Sequence, residues 1–545
     1  MPEIIRRLPN ILLKWVEPNL RAWLGSHQPQ MWLLALVAGL AVSAASIVFR
    51  ETIGWVQLAW LGSTSERVAS IARELPWYML FLGPVGGGLL VGIILRYLLP
   101  ARRTYAVADV IETRAGSGRS LGLRDALVSA GTTALSLGAG ASAGREGPVV
   151  HLGAAVADAT GRFLRLPDWG RRTLMGCGVA AAISASFNAP IAGVLFAHEV
   201  ILGHYAMRAF VPIVLASVSG TILSRLWFGD VAAFTIPGYQ ITSLWEFPAF
   251  ALLGLVCALV SVLFQFSLMA ADYVARNVTI PIVLRPVIGG VAVGAIALAF
   301  PQVLGVGYEA TDQALRNELS LGLMLMLLVA KTAATAITLA SRFGGGIFSP
   351  SLYLGAMAGG AFGLIAASVF PDMASSEGLY SILGMGAVAA AVLGAPISTT
   401  VMVFELTGGY ALSIALLLAV SVSNGINNAL HGHSFFHWQL EMRGVFLREG
   451  PHMHVVRVRR VRDFMTPRGE SDPQDLSELS EELPVLREGD TLEHALRLFD
   501  KGGYDRLPVA SAGDAKKLAG WASQVHALRY FNSALIEESR EAHLH

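Results

Sequence analysis

Glu146 is a carboxylate enclosed by glycine and proline in an apolar stretch of chain, within Gly144-Arg145-Glu146-Gly147-Pro148. The frame returns 202 residues further on as Gly346-Ile347-Phe348-Ser349-Pro350, and both copies run into Leu-Gly-Ala, at Leu152 to Ala154 and Leu354 to Ala356. Glycine lets a backbone approach closely, and proline in a first helical turn removes no needed donor. Both segments therefore read as helix starts. A helix start presents unpaired N–H groups and the positive end of the macrodipole, a seat for an anion that requires no formal positive charge. The ligand predicted is a small anion. Glu146 carries an anion of suitable charge and reach for the same seat, so it competes with a permeant ion, and its protonation releases it. The chemistry expected is a pH-sensitive gate. The plainer alternative is an acidic residue favourably placed at an ordinary helix N-terminus.

The elements that would position these residues are doubled as well. Ala189-Pro190-Ile191, with Glu199 nine residues after its proline, returns 206 residues on as Ala395-Pro396-Ile397 with Glu405 nine residues after its proline. Two phrases in one order at nearly one spacing predict two similar halves, with the substrate site where their interrupted helices meet. Hydrophobic residues make up 54% of the 545 and charged residues 14%, which excludes an ordinary soluble domain and predicts a polytopic membrane protein in a lipid bilayer. Stretches 31–48, 77–95, 250–269 and 321–340 are apolar and long enough to cross. Small residues crowd 180–189 and 384–395, where helices must approach closely without a hydrophobic driving force.

The organisation expected is an amphipathic cytoplasmic helix over 1–30, a first membrane half over 31–230, a join at Pro237-Gly238, a second half over 245–445, and a small soluble α+β domain over 456–535. Arg6, Arg7 and Lys14 precede the first span and Arg457, Arg459, Arg460 and Arg462 follow the last, so both termini are expected in the cytoplasm. A formal charge of +1 gives no reason to expect a nucleic-acid partner. The N-terminus mixes Lys14, Glu17 and Arg21 with apolar residues and does not read as a signal peptide. Cys177 and Cys257, both in apolar runs, predict neither a disulfide framework nor a metal site, and no cofactor is expected. Compact loops suggest a bacterial plasma membrane.

Together, Gly144 to Pro148, the run from Phe187 to Phe196, Gly346 to Pro350 and Ala395-Pro396-Ile397-Ser398 resemble the CLC family of voltage-gated-type chloride channels and chloride/proton antiporters. The resemblance covers residues 31 to 445. It implies an all-α inverted-repeat fold with tilted and half-membrane helices, a homodimer with one anion pore per subunit, and no enzymatic activity. It also implies Glu146 as the gating glutamate, with Arg145, Gly147, Gly346, Ile347 and Phe348 around the anion, the last two offering backbone N–H groups.

Three positions depart from the family pattern. Its first anion-binding segment usually holds a serine whose hydroxyl faces the ion, and the best counterpart here is Thr104 to Ala108, with Tyr105 in place of the serine and Ala106 beside it. A phenol donates one hydrogen bond but is much larger. Phe436 stands where the family's last membrane helix brings a tyrosine. The internal proton glutamate of family antiporters would follow Glu199, and Val200 is there instead. Valine cannot relay a proton, so the sequence tilts toward passive, channel-like conduction of chloride or a similar monovalent anion. A chloride/proton antiporter with an unusual internal route stays open. Glu199 and Glu405 are expected to be structural, hydrogen-bonded carboxylates, and Lys331 to satisfy carbonyls. The tail resembles a single CBS unit, in which His526 replaces the aspartate usually needed for ribose, so nucleotide binding is weakly supported.

Rival readings are an inverted-repeat transporter of another solute and an intramembrane serine hydrolase built on Gly140-Ala141-Ser142-Ala143-Gly144. His198-Glu199 lacks the second histidine of a zinc protease motif.

Overall fold

The computed structural model describes residues 16–115, 121–230, 234, 241, 243–371, 375–407, 412–445, 456, 459–470, 472–479, 483–511, 513, 514 and 516–543. The Pro237-Gly238 join and residues 1–15 of the predicted N-terminal helix lie outside these residues; 16–24 is helical and largely exposed. The chain divides into two compact units, one reaching Trp438 and a second that holds the only sheet among the described residues.

Among the described residues the first unit is helical, with seven helices long and apolar enough to cross a membrane. They are Gln28–Leu61, Trp77–Tyr97, Met207–Phe228, Phe247–Asn277, Leu321–Ala340, Phe348–Val369 and Ser413–Glu441. Two outrun the apolar stretches that mark them in sequence. Gln28–Leu61 does not end with the apolar run at 48 but continues through Arg50 and Glu51, because nothing breaks it before Gly62, whose φ of 73° and N–H to Leu58 O close the last turn. That overrun carries Arg50 to the site. Phe247–Asn277 likewise extends on both sides of 250–269.

Glycine contacts repeat between the halves. The helices Glu146–Phe163 and Asp168–Phe187 cross so closely that a Cβ on Gly153 would lie 2.5 Å from Gly178 O, and one on Gly178 would lie 2.3 Å from Gly153 O. Phe348–Val369 and Glu377–Leu393 cross the same way at Gly355 and Gly384, with 2.3 Å in both directions. Only glycine fits, and the close backbones gain dispersion contact where lipid supplies no hydrophobic drive. These crossings fix the two helices whose starts matter most.

A second pair of contacts ties the halves to each other. Glu199 accepts hydrogen bonds from Ile397 N (3.1 Å) and Ser398 N (2.7 Å) at the start of Pro396–Thr407. Glu405 accepts from Ile191 N (2.9 Å) and Ala192 N (2.7 Å) at the start of Pro190–Phe196. Each half caps a helix of the other with a carboxylate, satisfying orphan donors and the positive helix end at once.

The second unit is α+β. Strands β1 (Thr466–Pro467), β2 (Leu486–Arg487), β3 (Arg506–Ala510) and β4 (Leu518–Ser523) form a sheet in the order β1-β4-β3-β2, antiparallel except for the β2–β3 pair. Helix Leu492–Gly502 starts under a Thr491 cap that accepts from His494 N and stops at Gly503, φ 61°. Its apolar stripe, Leu492, Ala495 and Phe499, packs with Leu507 and Val509.

Candidate functional site

The two glycine-bounded segments meet. Gly144 N donates to Gly346 O and Gly346 N to Gly144 O, both at 2.7 Å, an isolated antiparallel bridge between the halves. Two residues beyond each glycine a helix begins, at Glu146 on one side and at Phe348 on the other. Two helix N-termini therefore open onto one junction, one from each half of the repeat. A Cβ on Gly144 would stand 2.7 Å from Glu146 Oε2, 3.1 Å from Ser349 N and 3.2 Å from Gly346 O, so any larger residue would displace the gate carboxylate and crowd the facing backbone. A third segment arrives at Gly147, where a Cβ would lie 3.5 Å from both Ala106 Cβ and Gly346 Cα.

Glu146 is 1% exposed. Its Oε1 accepts from Ser349 Oγ (2.6 Å) and Tyr308 Oη (3.0 Å), and its Oε2 has no hydrogen-bond partner among the described residues. Both donors are neutral hydroxyls, and both come from the second half of the chain. The adjacent Arg145 turns away to Glu66 Oε1 (2.6 Å), which also takes Arg50 Nε (2.9 Å). Partial burial acts to raise the Glu66 pKa, but the Arg145 and Arg50 guanidiniums outweigh it, so the net direction is down. These three residues with Phe228, Gly307 and Tyr308 line a cavity of about 200 Å³. The loop that leads into Tyr308, the first residue of helix Tyr308–Leu315, is pinned by Lys331, a fully buried lysine whose Nζ donates to Val303 O (3.0 Å) and Gly305 O (2.9 Å).

Of the residues singled out in sequence, Ala106, Gly147, Gly346 and Glu146 lie at the junction. Ile347 and Phe348 are buried at the head of their helix, with the Phe348 ring 5.1 Å from Phe187 and 6.0 Å from Phe196. Arg145 places its side chain in the ion-pair cluster and not over the anion seat. Tyr105 stacks on His151 at 5.1 Å, with its N–H on Ser129 Oγ. Phe436 is buried beside Phe435, and no hydrogen bond or ring contact links it to the junction among the described residues. Glu199 is committed to its capping bonds, and Val200 follows it on a π-helical segment, Ala197–Leu202. Ser142 Oγ faces Thr335 Oγ1 at 3.5 Å, a hydroxyl and not a base, so the hydrolase reading gains nothing.

Sequence reading missed Tyr308 and Glu66, and passed over Ser349 although it sits in a quoted segment. Ser349 was within reach, since a helix start next to the gate carboxylate is where a hydroxyl would act. Tyr308 and Glu66 lie 162 and 80 positions from Glu146, and no local pattern marks them.

A family model described as voltage gated chloride channel matches residues 87–428. The chain belongs to this family, the CLC proteins. A CLC relative from Ralstonia nicotianae, the putative chloride channel protein ClcB-like, is 33% identical over 71% of this chain and 91% of its own length. The H(+)/Cl(-) exchange transporter ClcA of Cronobacter sakazakii is 29% identical over 71% of this chain and 84% of its own. The crystal structure of a slow cyanobacterial Cl-/H+ antiporter superposes with a TM-score of 0.68 at 23% identity, covering 77% of this chain and 99% of that one. The fold is thus the CLC fold, and the chain is an integral, multi-pass membrane protein. CLC proteins are transporters and channels.

Proposed function

We propose that this chain moves chloride across a membrane in exchange for protons, with Glu146 as the tethered carboxyl that alternates with the anion and takes up the proton. The observation that carries the reading is the junction itself: two helix N-termini, one from each half, with a buried carboxylate held between them by a single oxygen. An ionised Glu146 fills the seat; once protonated it loses the charge that the helix ends favour, and an anion replaces it. Exchange is supported by the relatives named as exchange transporters. Backbone N–H groups at Ile347 and Phe348 face the anion in this reading, with Ala106, Gly147 and Gly346 closing around it. Phe436 brings no hydroxyl to the central position, and Tyr105, stacked on His151, offers a phenol where the family pattern has a serine.

Val200 favours a second reading, passive conduction, because it blocks the usual internal proton step. Exchange then needs another internal group. His198 lies on the same π-helical segment, 1% exposed, with Nδ1 at 3.0 Å from His204 O and Nε2 without a partner among the described residues. We assign the internal step to it. The protein works as a homodimer with one pore per subunit, in a bacterial plasma membrane with both termini cytoplasmic.

The test is the reversal potential of chloride current from purified protein in liposomes under an imposed pH gradient. Exchange displaces it from the chloride equilibrium value in the direction of the proton gradient. A reversal potential that ignores pH removes exchange in favour of conduction, and absence of chloride flux removes both.

A further inference from the structure

Tyr308 stands between the Arg50–Glu66 cavity and the gate carboxylate, and its surroundings hold it there independently of Glu146. Its ring lies 4.9 Å from the Arg145 guanidinium on one side and 5.7 Å, edge to face, from Phe234 on another. It opens helix Tyr308–Leu315, and the loop before it leaves little freedom: Gly305 and Gly307 take left-handed φ values of 60° and 93°, and Lys331 holds the carbonyls of Val303 and Gly305. A Cβ on Gly307 would lie 2.7 Å from the Tyr353 ring. The phenol is thus a preorganised donor, aimed at Glu146 Oε1 from the cavity side.

We propose that Tyr308 is a positioning residue that latches the ionised Glu146 carboxylate in the anion seat and so sets how readily an anion from the cavity displaces it. This rests on the reading of Glu146 as a tethered gate. A hydrogen bond to an ionised acceptor is stronger than one to a neutral carboxyl, so the latch grips the charged gate and slackens on protonation. The asymmetry of the carboxylate fits this role, since Oε1 takes both hydroxyls and Oε2 takes none. One oxygen is a pivot; two would be an anchor. The charged and titratable groups facing the pair are Arg145 on the gate's own segment, Glu66 beyond it, Arg50 on Gln28–Leu61, and Lys331 beneath the loop. None changes in the variant below.

Tyr308→Phe keeps the ring between Arg145 and Phe234 and removes only the donor. Chloride flux into liposomes is measured against pH for the wild type, Y308F, E146Q and the double variant. Flux in Y308F at neutral pH rises by roughly tenfold, the worth of one hydrogen bond to a charged acceptor, and its curve against pH moves toward neutral. In the E146Q background the same change alters flux less than about twofold, because an amide gives the phenol no charge to grip. If Y308F does not fold, site-specific incorporation of a fluorinated tyrosine at 308 tests the same bond in the other direction. That ring is the stronger donor and moves the curve to lower pH. The latch is overturned if Y308F leaves neutral flux unchanged, if its effect persists undiminished in E146Q, or if the fluorinated ring moves nothing. If E146Q itself retains the wild-type pH dependence, the gate reading fails first and takes the latch with it.

Discussion

Glu199, Glu405 and Glu146 all stand at helix N-termini of this membrane unit, and they are held in two different ways. Glu199 and Glu405 each take two backbone N–H groups from the opposite half, one on each oxygen. Glu146 takes no backbone N–H among the described residues, binds two hydroxyls through one oxygen, and leaves the other unpartnered. Backbone donors are fixed by the fold, so a carboxylate on two of them is a rivet. Hydroxyls rotate and can serve a replacement ligand equally well. The repeat doubles the rivet but not the gate: position 348 answers Glu146 with phenylalanine. The twofold plan builds the walls, and function sits where that symmetry is broken.

The contrast predicts opposite outcomes for similar changes. Glu146→Gln raises neutral-pH chloride flux on the order of a hundredfold, if the ionised carboxylate fills the seat in all but about one molecule in a hundred, and flattens the dependence of flux on pH. Thermal unfolding of the detergent-solubilised protein changes little. A wild-type pH profile in this variant would erase the distinction between gate and rivet.

Glu405→Ala does the reverse. It strands two N–H donors and costs about 2 kcal/mol or more, visible as a lower unfolding temperature, while the dependence of flux on pH keeps its wild-type shape. A lost pH response in this variant would put Glu405 in the transport cycle.

Ser349→Ala removes the shorter of the two hydroxyl contacts at Glu146 but leaves the Tyr308 bond. Neutral flux rises several-fold, less than for E146Q, by the worth of a single bond. The smallest effect is expected for His198→Phe, which preserves the stack on Tyr205, 5.6 Å away, and removes the titratable ring. Chloride flux stays within about twofold of wild type, while the displacement of the reversal potential by pH diminishes. An undiminished displacement would move the internal proton step elsewhere.

Much of the fold was legible because membranes constrain sequence severely. Apolar runs located four spans, although Gln28–Leu61 and Phe247–Asn277 overran them, since helix ends follow capping and glycine and not the edge of hydropathy. Hydrogen-bonded carboxylates at Glu199 and Glu405 and a carbonyl-bound Lys331 were expected from acidic or basic residues isolated in apolar helices; the structure adds which backbone groups they meet. The α+β tail was legible from its composition and the stripe through Leu492, Ala495 and Phe499. Of the site, the glycines were legible and the outer hydroxyls were not. Arg145 was counted with the anion seat, yet its guanidinium is spent on Glu66, a pairing set by where the long first helix ends.

By itself, the order of residues determined that there are two halves, that each begins a helix within its apolar span at a glycine, and that one of those starts bears a carboxylate. Those features are local or periodic, and a pattern in one dimension can carry them. Only the folded molecule decided that Gly144 and Gly346 pair, and that Tyr308 and Ser349 share one oxygen of Glu146. It also decided that Arg50, Glu66 and Arg145 close into a cluster beside them. The bonds of Arg145 to Glu66, of Tyr308 to Glu146 and of Ser349 to Glu146 join positions 79, 162 and 203 residues apart. Their geometry comes from the packing of whole helices against one another, which no stretch of sequence specifies alone.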